Sequence, residues 1–463
     1  MVLEIFLVVV VYHASASAAT LTHGPMVGHT TDRATRIWVR ADRVCDFQVR
    51  VTPTEGHGEV LSEIVRLNEA DNFCGSASVT GLSPSVLYEY MVILSGQDQV
   101  PDLAQSVRTF PPKGKPSVLN IGIGHSLRGK AEDPQTIWLP IADRKPDLFI
   151  LMGDNIYSNS TEPEKQRRMY LEYRADPHFR ALAATVPIYA IWDDHDYGKN
   201  NSDRTQPGKE RSLKTFNEVW ANPPSQARVS PGIWTRFSIG EAEFFLLDVR
   251  YHRSPNKDLD GPEKTMLGPE QLEWLVQSLH ESTAKFKFIV SGSSWNCGGA
   301  EAWNHKFLYE YDALLSKIRE DRVEGVILLG GDQHSRKIAV RQGESWDGYD
   351  LHEWMAGQLF PPAGVANHAF GMIELNTIAE MPKAKLAFVG LDGNPRNGKR
   401  VLYTAPGALR ALFESPPGVT GKWDKPVTGE FGDRVGVLWD ALPDTKGETL
   451  TLDDLDWSPE AAR

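Results

Sequence analysis

Residues 193–196 read Asp193-Asp194-His195-Asp196, three carboxylates and an imidazole in consecutive positions. They follow the apolar run Ile188-Tyr189-Ala190-Ile191 and Trp192. Such groups repel one another unless a cation or hydrogen bonds neutralise them. A solvated acidic turn is the ordinary explanation of such a run. Two matching stretches argue for a metal site instead. Gly153-Asp154-Asn155-Ile156-Tyr157 comes just after Leu148-Phe149-Ile150-Leu151, and Gly331-Asp332-Gln333-His334 just after Val326-Ile327-Leu328-Leu329. Each places oxygen or nitrogen ligands where a buried strand ends, and α/β sheets bind ligands outside the carboxyl ends of their strands. Carboxylate oxygen and imidazole nitrogen are ordinary ligands for iron, zinc and manganese. One such motif is weak evidence; three in one chain are much stronger.

The chemistry that suits this set is hydrolysis of a phosphate ester. The ester is anionic and repels nucleophiles; paired cations neutralise its oxygens and turn a bound water into hydroxide near neutral pH. This needs one carboxylate between the metals and further ligands to hold each. Asp154 is expected as the bridge, with Asp194, Asp332 and His334 as further ligands. Asn155, next to Asp154, is a candidate for touching phosphate. Arg250, at the end of Phe244-Phe245-Leu246-Leu247-Asp248, is a candidate phosphate clamp through bidentate donors, and equally a structural ion pair.

Gly153-Asp154-x-x-Tyr157, Trp192-Asp193-Asp194-His195-Asp196-Tyr197-Gly198 and Gly331-Asp332-x-His334 together resemble the PhoD-like alkaline phosphatases, a branch of the calcineurin-type metallophosphoesterases. The resemblance extends from about Leu21 to about Tyr403 and includes Leu247-Asp248-x-Arg250-Tyr251-His252-Arg253 and Ser291-Gly292-Ser293-x-Trp295. It implies two sheets packed face to face, metals along one rim, and an immunoglobulin-like leader domain. It also implies that Asp194 takes an asparagine ligand position, that His195 faces the substrate and stabilises or protonates the leaving oxygen, and that Asp196 orients His195. Tyr157 is implied as a ferric ligand, against a simple packing role. Iron and calcium are the implied metals, with zinc or manganese as alternatives. The chain departs from the family at Gly124-His125-Ser126, where many relatives read Gly-Ser-Cys with an iron-binding cysteine. Ser126 holds the cysteine position, and His125 beside it is the alternative ligand.

The elements that must position these groups follow from the chain's rhythm. With 463 residues it suits two domains or one large domain with additions. A net charge of −12 argues against a stable nucleic-acid partner, while bound metals would still admit a small anionic substrate. Residues 1–19 read as an export signal: a short apolar core from Ile5 to Tyr12, then small residues, although Glu4 and the absence of Lys or Arg depart from the usual pattern. A buried first strand is the alternative. No stretch is long enough to span a bilayer as a helix. An exported chain could pair Cys45 with Cys74; two free buried thiols are equally consistent.

Residues 20–111 alternate apolar and polar positions in short runs separated by Gly and Pro, the pattern of a small all-β sandwich. Pro111 to Pro116 is the linker. Residues 117–410 alternate strands with helices and form the catalytic domain, an α/β unit with a mainly parallel sheet. Late strands at Phe370–Leu375, Lys385–Val389 and Arg400–Tyr403 suit a second sheet. Residues 411–463 are a C-terminal extension rich in Asp, Gly and Pro. The function expected is metal-dependent hydrolysis of a small phosphate mono- or diester. The alternatives are a catalytically impaired binding protein on the same scaffold and a phospholipase-type phosphodiesterase. Oligomeric state is not legible.

Overall fold

The computed structural model describes residues 18–364, 368–405, 408–412 and 435–438. The export-signal core from Ile5 to Tyr12 and most of the C-terminal extension lie outside the described residues.

Residues 18–113 are all-β. One sheet orders Leu21–Thr30, Ala34–Ala41 and Cys74–Thr80; a second is built around Cys45–Pro53 and Leu87–Leu94. Alternation makes this a sandwich: Ile37, Val39, Phe47, Val49, Val51, Ala77, Val79 and Val92 all point into one dry core. Cys45 and Cys74 are buried free thiols. Cys45 belongs to the sandwich core, and Cys74 points the other way, into the core of the following unit.

That unit is two facing sheets. One orders Ile188–Ile191, Leu148–Met152, Val118–Leu127, Ala369–Asn376 and Lys383–Gly390, continuing to Ala408–Leu412. The other orders Thr235–Ile239, Ala242–Leu246, Phe286–Ser291, Val326–Gly330, Leu351–Met355 and Lys337–Arg341, with Val435–Leu438 at its edge. The early parallel strands thus divide between the sheets. The late strands do not make a sheet of their own, as expected above. Ala369–Asn376 pairs antiparallel with Val118–Leu127 and extends the first sheet. Both sheets are therefore mixed.

The residue pattern explains the layering. Phe244, Phe288, Val290, Ile327 and Leu329 face the space between the sheets with Ile121, Ile123 and Ile150. Their neighbours Phe245, Ile289 and Leu328 face outward onto the helices Pro269–Glu281 and Leu308–Glu320. Period-two strands buried on both faces need apolar residues at every position, which is why these runs lack alternation. A short helix, Trp138–Asp143, connects Val118–Leu127 to Leu148–Met152. Ile123–Leu127, Leu148–Met152, Ile188–Ile191 and Val326–Gly330 all end toward one rim, and the three acidic motifs sit on the loops that leave it.

Candidate metal centre

Tight backbone packing brings the loops together. Gly153 has φ +95°, and a Cβ there would lie 2.7 Å from Asp193 Cβ. Gly331 leaves room for the carbonyls of Gly292 and Met152, each 2.5 Å from where its Cβ would be. Ser126, Asp154 and Asp332 are themselves left-handed, with φ of 60°, 55° and 70°. Non-glycine residues pay for that conformation, and such residues cluster at functional sites.

Asp154, Asp194 and His195 each offer a ligand atom, all within 4.8 Å of one another. Asp154 Oδ1 is buried without a hydrogen-bond partner, and so is Asp193 Oδ2. Burial raises the Asp154 carboxyl well above its usual range, and the charges of Asp194, Asp193 and Asp196 push it the same way. A cation is the natural remedy for oxygens held together and starved of donors. The donor set therefore fits a metal ion.

The His195 tautomer is fixed by its neighbours. Asn159 Nδ2 donates to the Tyr157 carbonyl at 3.3 Å, so its Oδ1 faces His195 Nδ1 at 2.7 Å and accepts from it. Nε2 then carries the lone pair, 3.9 Å from Asp194 Oδ1. Burial lowers the His195 pKa, which keeps the ring neutral. A neutral imidazole with Nε2 open toward Asp194 is disposed as a ligand, where the resemblance implied a group acting on the leaving oxygen.

A second directed chain reaches Asp154 from the other side. Arg128 Nη1 can only donate and lies 3.1 Å from His334 Nδ1. His334 Nε2 is 2.9 Å from the Tyr157 hydroxyl, which donates to Asp154 Oδ2 at 2.7 Å. The polarity runs from Arg128 through His334 and Tyr157 to Asp154. Burial and the Arg128 charge lower the His334 pKa to about 4. Burial pushes the Tyr157 phenol far above its usual value. Asp332 stands at the same rim, its Oδ2 accepting from Gln333 at 2.8 Å.

Four expected roles do not match the geometry. Asp196 does not orient His195. Its carboxylate accepts the amides of Asn155 and Ile156, the amide of Asp193 and the Tyr170 hydroxyl, so it fastens the two loops to each other. Asn155 turns away from the site: its Nδ2 donates to the Ile191 carbonyl at 2.8 Å. Arg250 is fully buried and its donors are spent on Asp193, Glu301, Ser293 and the Ser202 carbonyl, leaving none for a phosphate clamp. His125 is also committed. Its Nε2 donates to the Ala356 carbonyl at 2.6 Å, so Nδ1 accepts from Ser126 Oγ at 2.8 Å. Burial lowers its pKa to about 3. Ser126 does lie at the centre, its Oγ 3.4 Å from Asp154 Oδ2.

Sequence reasoning missed Glu301, Asn159, Tyr170 and Arg128. Glu301 is a buried acid that binds Arg250, Arg253 and Asn256, and its carboxyl falls to about 2 despite burial because both guanidinium charges stabilise it. No local motif marks it. Arg128, two residues past Ser126, carried the one signal that could have been read.

The carboxylates make a pH prediction. Burial pushes Asp196 and Asp332 up to about 6 from 3.8. A raised carboxyl favours the folded state below its unfolded pKa, and that contribution is lost as pH rises through the folded value. Metal binding needs the ionised form and acts oppositely. As Asp332, the one of the two read as a metal ligand, ionises, the gain in melting temperature on adding metal is therefore expected to grow between pH 4 and about 6. Thermal melts with chelator and with Mn²⁺ across that range check it; a constant difference would refute it.

Two packed mixed sheets with acidic and imidazole side chains on one rim define a metallophosphoesterase-like fold. Residues 133–351 match the family model of the PhoD-like phosphatases. Residues 18–113 match a domain family of unknown function (DUF7800). Alkaline phosphatase D of Bacillus subtilis (strain 168) is 24% identical over 308 residues, covering 55% of this chain and 52% of that protein. The chain thus spans about half the length of this curated relative. Among solved structures, PhoD superposes with a TM-score of 0.70 at 16% identity, covering 87% of this chain and 92% of PhoD. The purple acid phosphatase PPD1 from yellow lupin (Lupinus luteus) seeds gives 0.60 at 14% identity, covering 81% and 73%. These two likenesses establish the fold.

Proposed function

We propose that this chain hydrolyses small phosphate esters with the help of bound metal ions. The observation that carries the reading is the meeting of Asp154, Asp194 and His195 ligand atoms within 4.8 Å, with Asp154 Oδ1 buried and unpartnered. The relatives' names, alkaline phosphatase D and purple acid phosphatase, support the same reaction class. Asp154, Asp194 and His195 would hold one ion; on this reading Tyr157, Asp332, His334 and Ser126 would complete a second. When bound, the metals supply charge neutralisation and a water acidic enough to ionise near neutral pH.

The chain's own residues do the rest. Tyr157 holds the Asp154 carboxylate in place through its hydroxyl. Asn159 fixes the His195 tautomer so that Nε2 faces the centre. Arg128 takes the part first assigned to Arg250. It is exposed, 5.4 Å over the Tyr157 ring, and bonded to His334, so a guanidinium fork stands at the mouth of the centre. It would meet phosphoryl oxygens as they approach. A charge-assisted hydrogen bond contributes about 1.5–3 kcal/mol, or about 10–100-fold. Arg128→Ala is therefore expected to raise KM for p-nitrophenyl phosphate by about tenfold or more. A change below about twofold would remove Arg128 from substrate binding.

Iron and calcium remain the metals the family implies, with zinc or manganese as alternatives given Ser126. The domain division at 20–111, 117–410 and 411–463, and export through residues 1–19, belong to the same reading. No helix among the described residues is long and apolar enough to cross a membrane. Elemental analysis of the native protein, with hydrolysis of p-nitrophenyl and bis-p-nitrophenyl phosphate, tests the proposal. Bound metal with turnover supports it, and the ratio of the two rates sorts mono- from diesterase. No metal and no turnover after adding iron, calcium, zinc and manganese would favour an impaired binding protein. Turnover confined to phospholipid head groups would favour the phospholipase-type alternative.

A further inference from the structure

Arg174 ends the helix Pro163–Arg174 and is only 4% exposed. None of its three guanidinium nitrogens has a hydrogen-bond partner. A buried cation without acceptors is costly unless something else stabilises it. Here three aromatic rings do so. The guanidinium carbon lies 4.6 Å from the Trp38 ring, 4.2 Å from Trp220 and 5.7 Å from Tyr170. Ring faces attract cations, most strongly where water is excluded.

The three rings come from different parts of the chain. Trp38 belongs to the N-terminal all-β region, on the strand Ala34–Ala41. Trp220 follows the helix Lys209–Val219, and Trp38 Nε1 donates to the Glu218 carbonyl at 2.8 Å beside it. Tyr170 lies one helical turn before Arg174, on the same buried face. The Tyr170 hydroxyl donates to Asp196 Oδ1 at 2.9 Å. Asp196 in turn accepts from Asn155 N at 3.0 Å and Ile156 N at 3.2 Å, the two amides just after Asp154.

We propose that Arg174 is a positioning residue through which the N-terminal all-β region fixes the Asp154 loop, by the path Trp38, Arg174, Tyr170 and Asp196. On this account the β region is part of the machinery that keeps Asp154 ready for metal, rather than an independent module. The path rests on the reading of Asp154 as a metal ligand for its functional meaning, but its geometry stands without it.

Amide hydrogen exchange in the metal-free full-length protein reads the path directly. Arg174→Met keeps the bulk and removes the cation; Tyr170→Phe removes only the hydroxyl that grips Asp196. Both are expected to speed exchange at Asn155 and Ile156 by about tenfold or more, while Phe288 and Leu328 in the sheet interior keep their protection. Titration with Mn²⁺ is expected to show binding weakened by about 10–100-fold, as for other residues that support metal ligands. Arg174→Lys, which retains a cation among the rings, is expected to lie closer to the native protein than Arg174→Met. Unchanged exchange at both amides in either variant overturns the proposal. If Arg174→Met loosens every amide together, Tyr170→Phe decides alone. If the native protein binds no Mn²⁺, exchange still judges the path, and the metal reading is what falls.

Discussion

Asp154→Asn is expected to lose turnover and, at the same time, to make the metal-free protein more stable. Asp154 is buried with one oxygen unpartnered, and Asp193, Asp194 and Asp196 all raise its carboxyl. In the absence of metal its ionised form is a strained, uncompensated charge. The amide side chain removes that charge with little change of shape. The Tyr157 hydroxyl, 2.7 Å away, can still donate to the amide oxygen. With metal present the sign reverses. Removing one partner of a buried charge pair costs about 3–5 kcal/mol, which corresponds to about a hundredfold to several thousandfold in affinity. Thermal melts with chelator, set beside a metal titration and p-nitrophenyl phosphate hydrolysis, check both halves. A variant that still binds metal and turns over would show that the centre has been misplaced. A metal-free variant less stable than the native protein would show that the Asp154 carboxylate is compensated within the protein itself.

Arg250→Ala is expected to fail differently, through folding rather than through substrate affinity. The side chain is fully buried and holds Asp193 at 2.6 Å and Glu301 at 2.9 Å. Arg253 shares Glu301 at 3.2 Å, so two guanidinium groups and two carboxylates form one buried network under the loop of Asp194. Removing its central cation leaves Asp193 and Glu301 without their main partner. The expected loss is about 3–5 kcal/mol, a large share of a typical domain's stability. Arg250→Lys should not restore it, because an ammonium cannot reproduce the forked set of donors. Denaturant unfolding measures the effect. A well-folded Arg250→Ala protein with a raised KM and unaltered stability would return Arg250 to the role of phosphate clamp.

The two substitutions divide what was legible from what was not. Asp154, Asp194 and His195 were readable because the signal is local: an acidic residue directly after an apolar run marks the end of a buried strand. Tyr157 and His334 were readable for the same reason, and the structure brings them to the same oxygen through the Tyr157 hydroxyl. The all-β leader and the helix-strand alternation were likewise carried by residue periodicity. Which sheet a strand joins is not carried that way. Ala369–Asn376 has the same apolar pattern whether it pairs with its neighbours alone or with Val118–Leu127, and tertiary pairing decided the matter. The direction in which a side chain points is hidden too. Asp196 and His195 are adjacent in sequence, yet in the short helical turn Asp194–Tyr197 the carboxylate faces Asn155 and Ile156 while the imidazole faces Asp194. Arg250 could have met a phosphate or a carboxylate; Glu301, distant in sequence and without any motif, settled that it meets carboxylates. By itself, then, the sequence determined which chemical groups reach the rim, because strand ends and their loops are written locally. The tertiary structure alone decided which of those groups face one another and which are consumed in holding the loops. Those pairings are made between segments far apart in the chain, where neither periodicity nor spacing has any bearing.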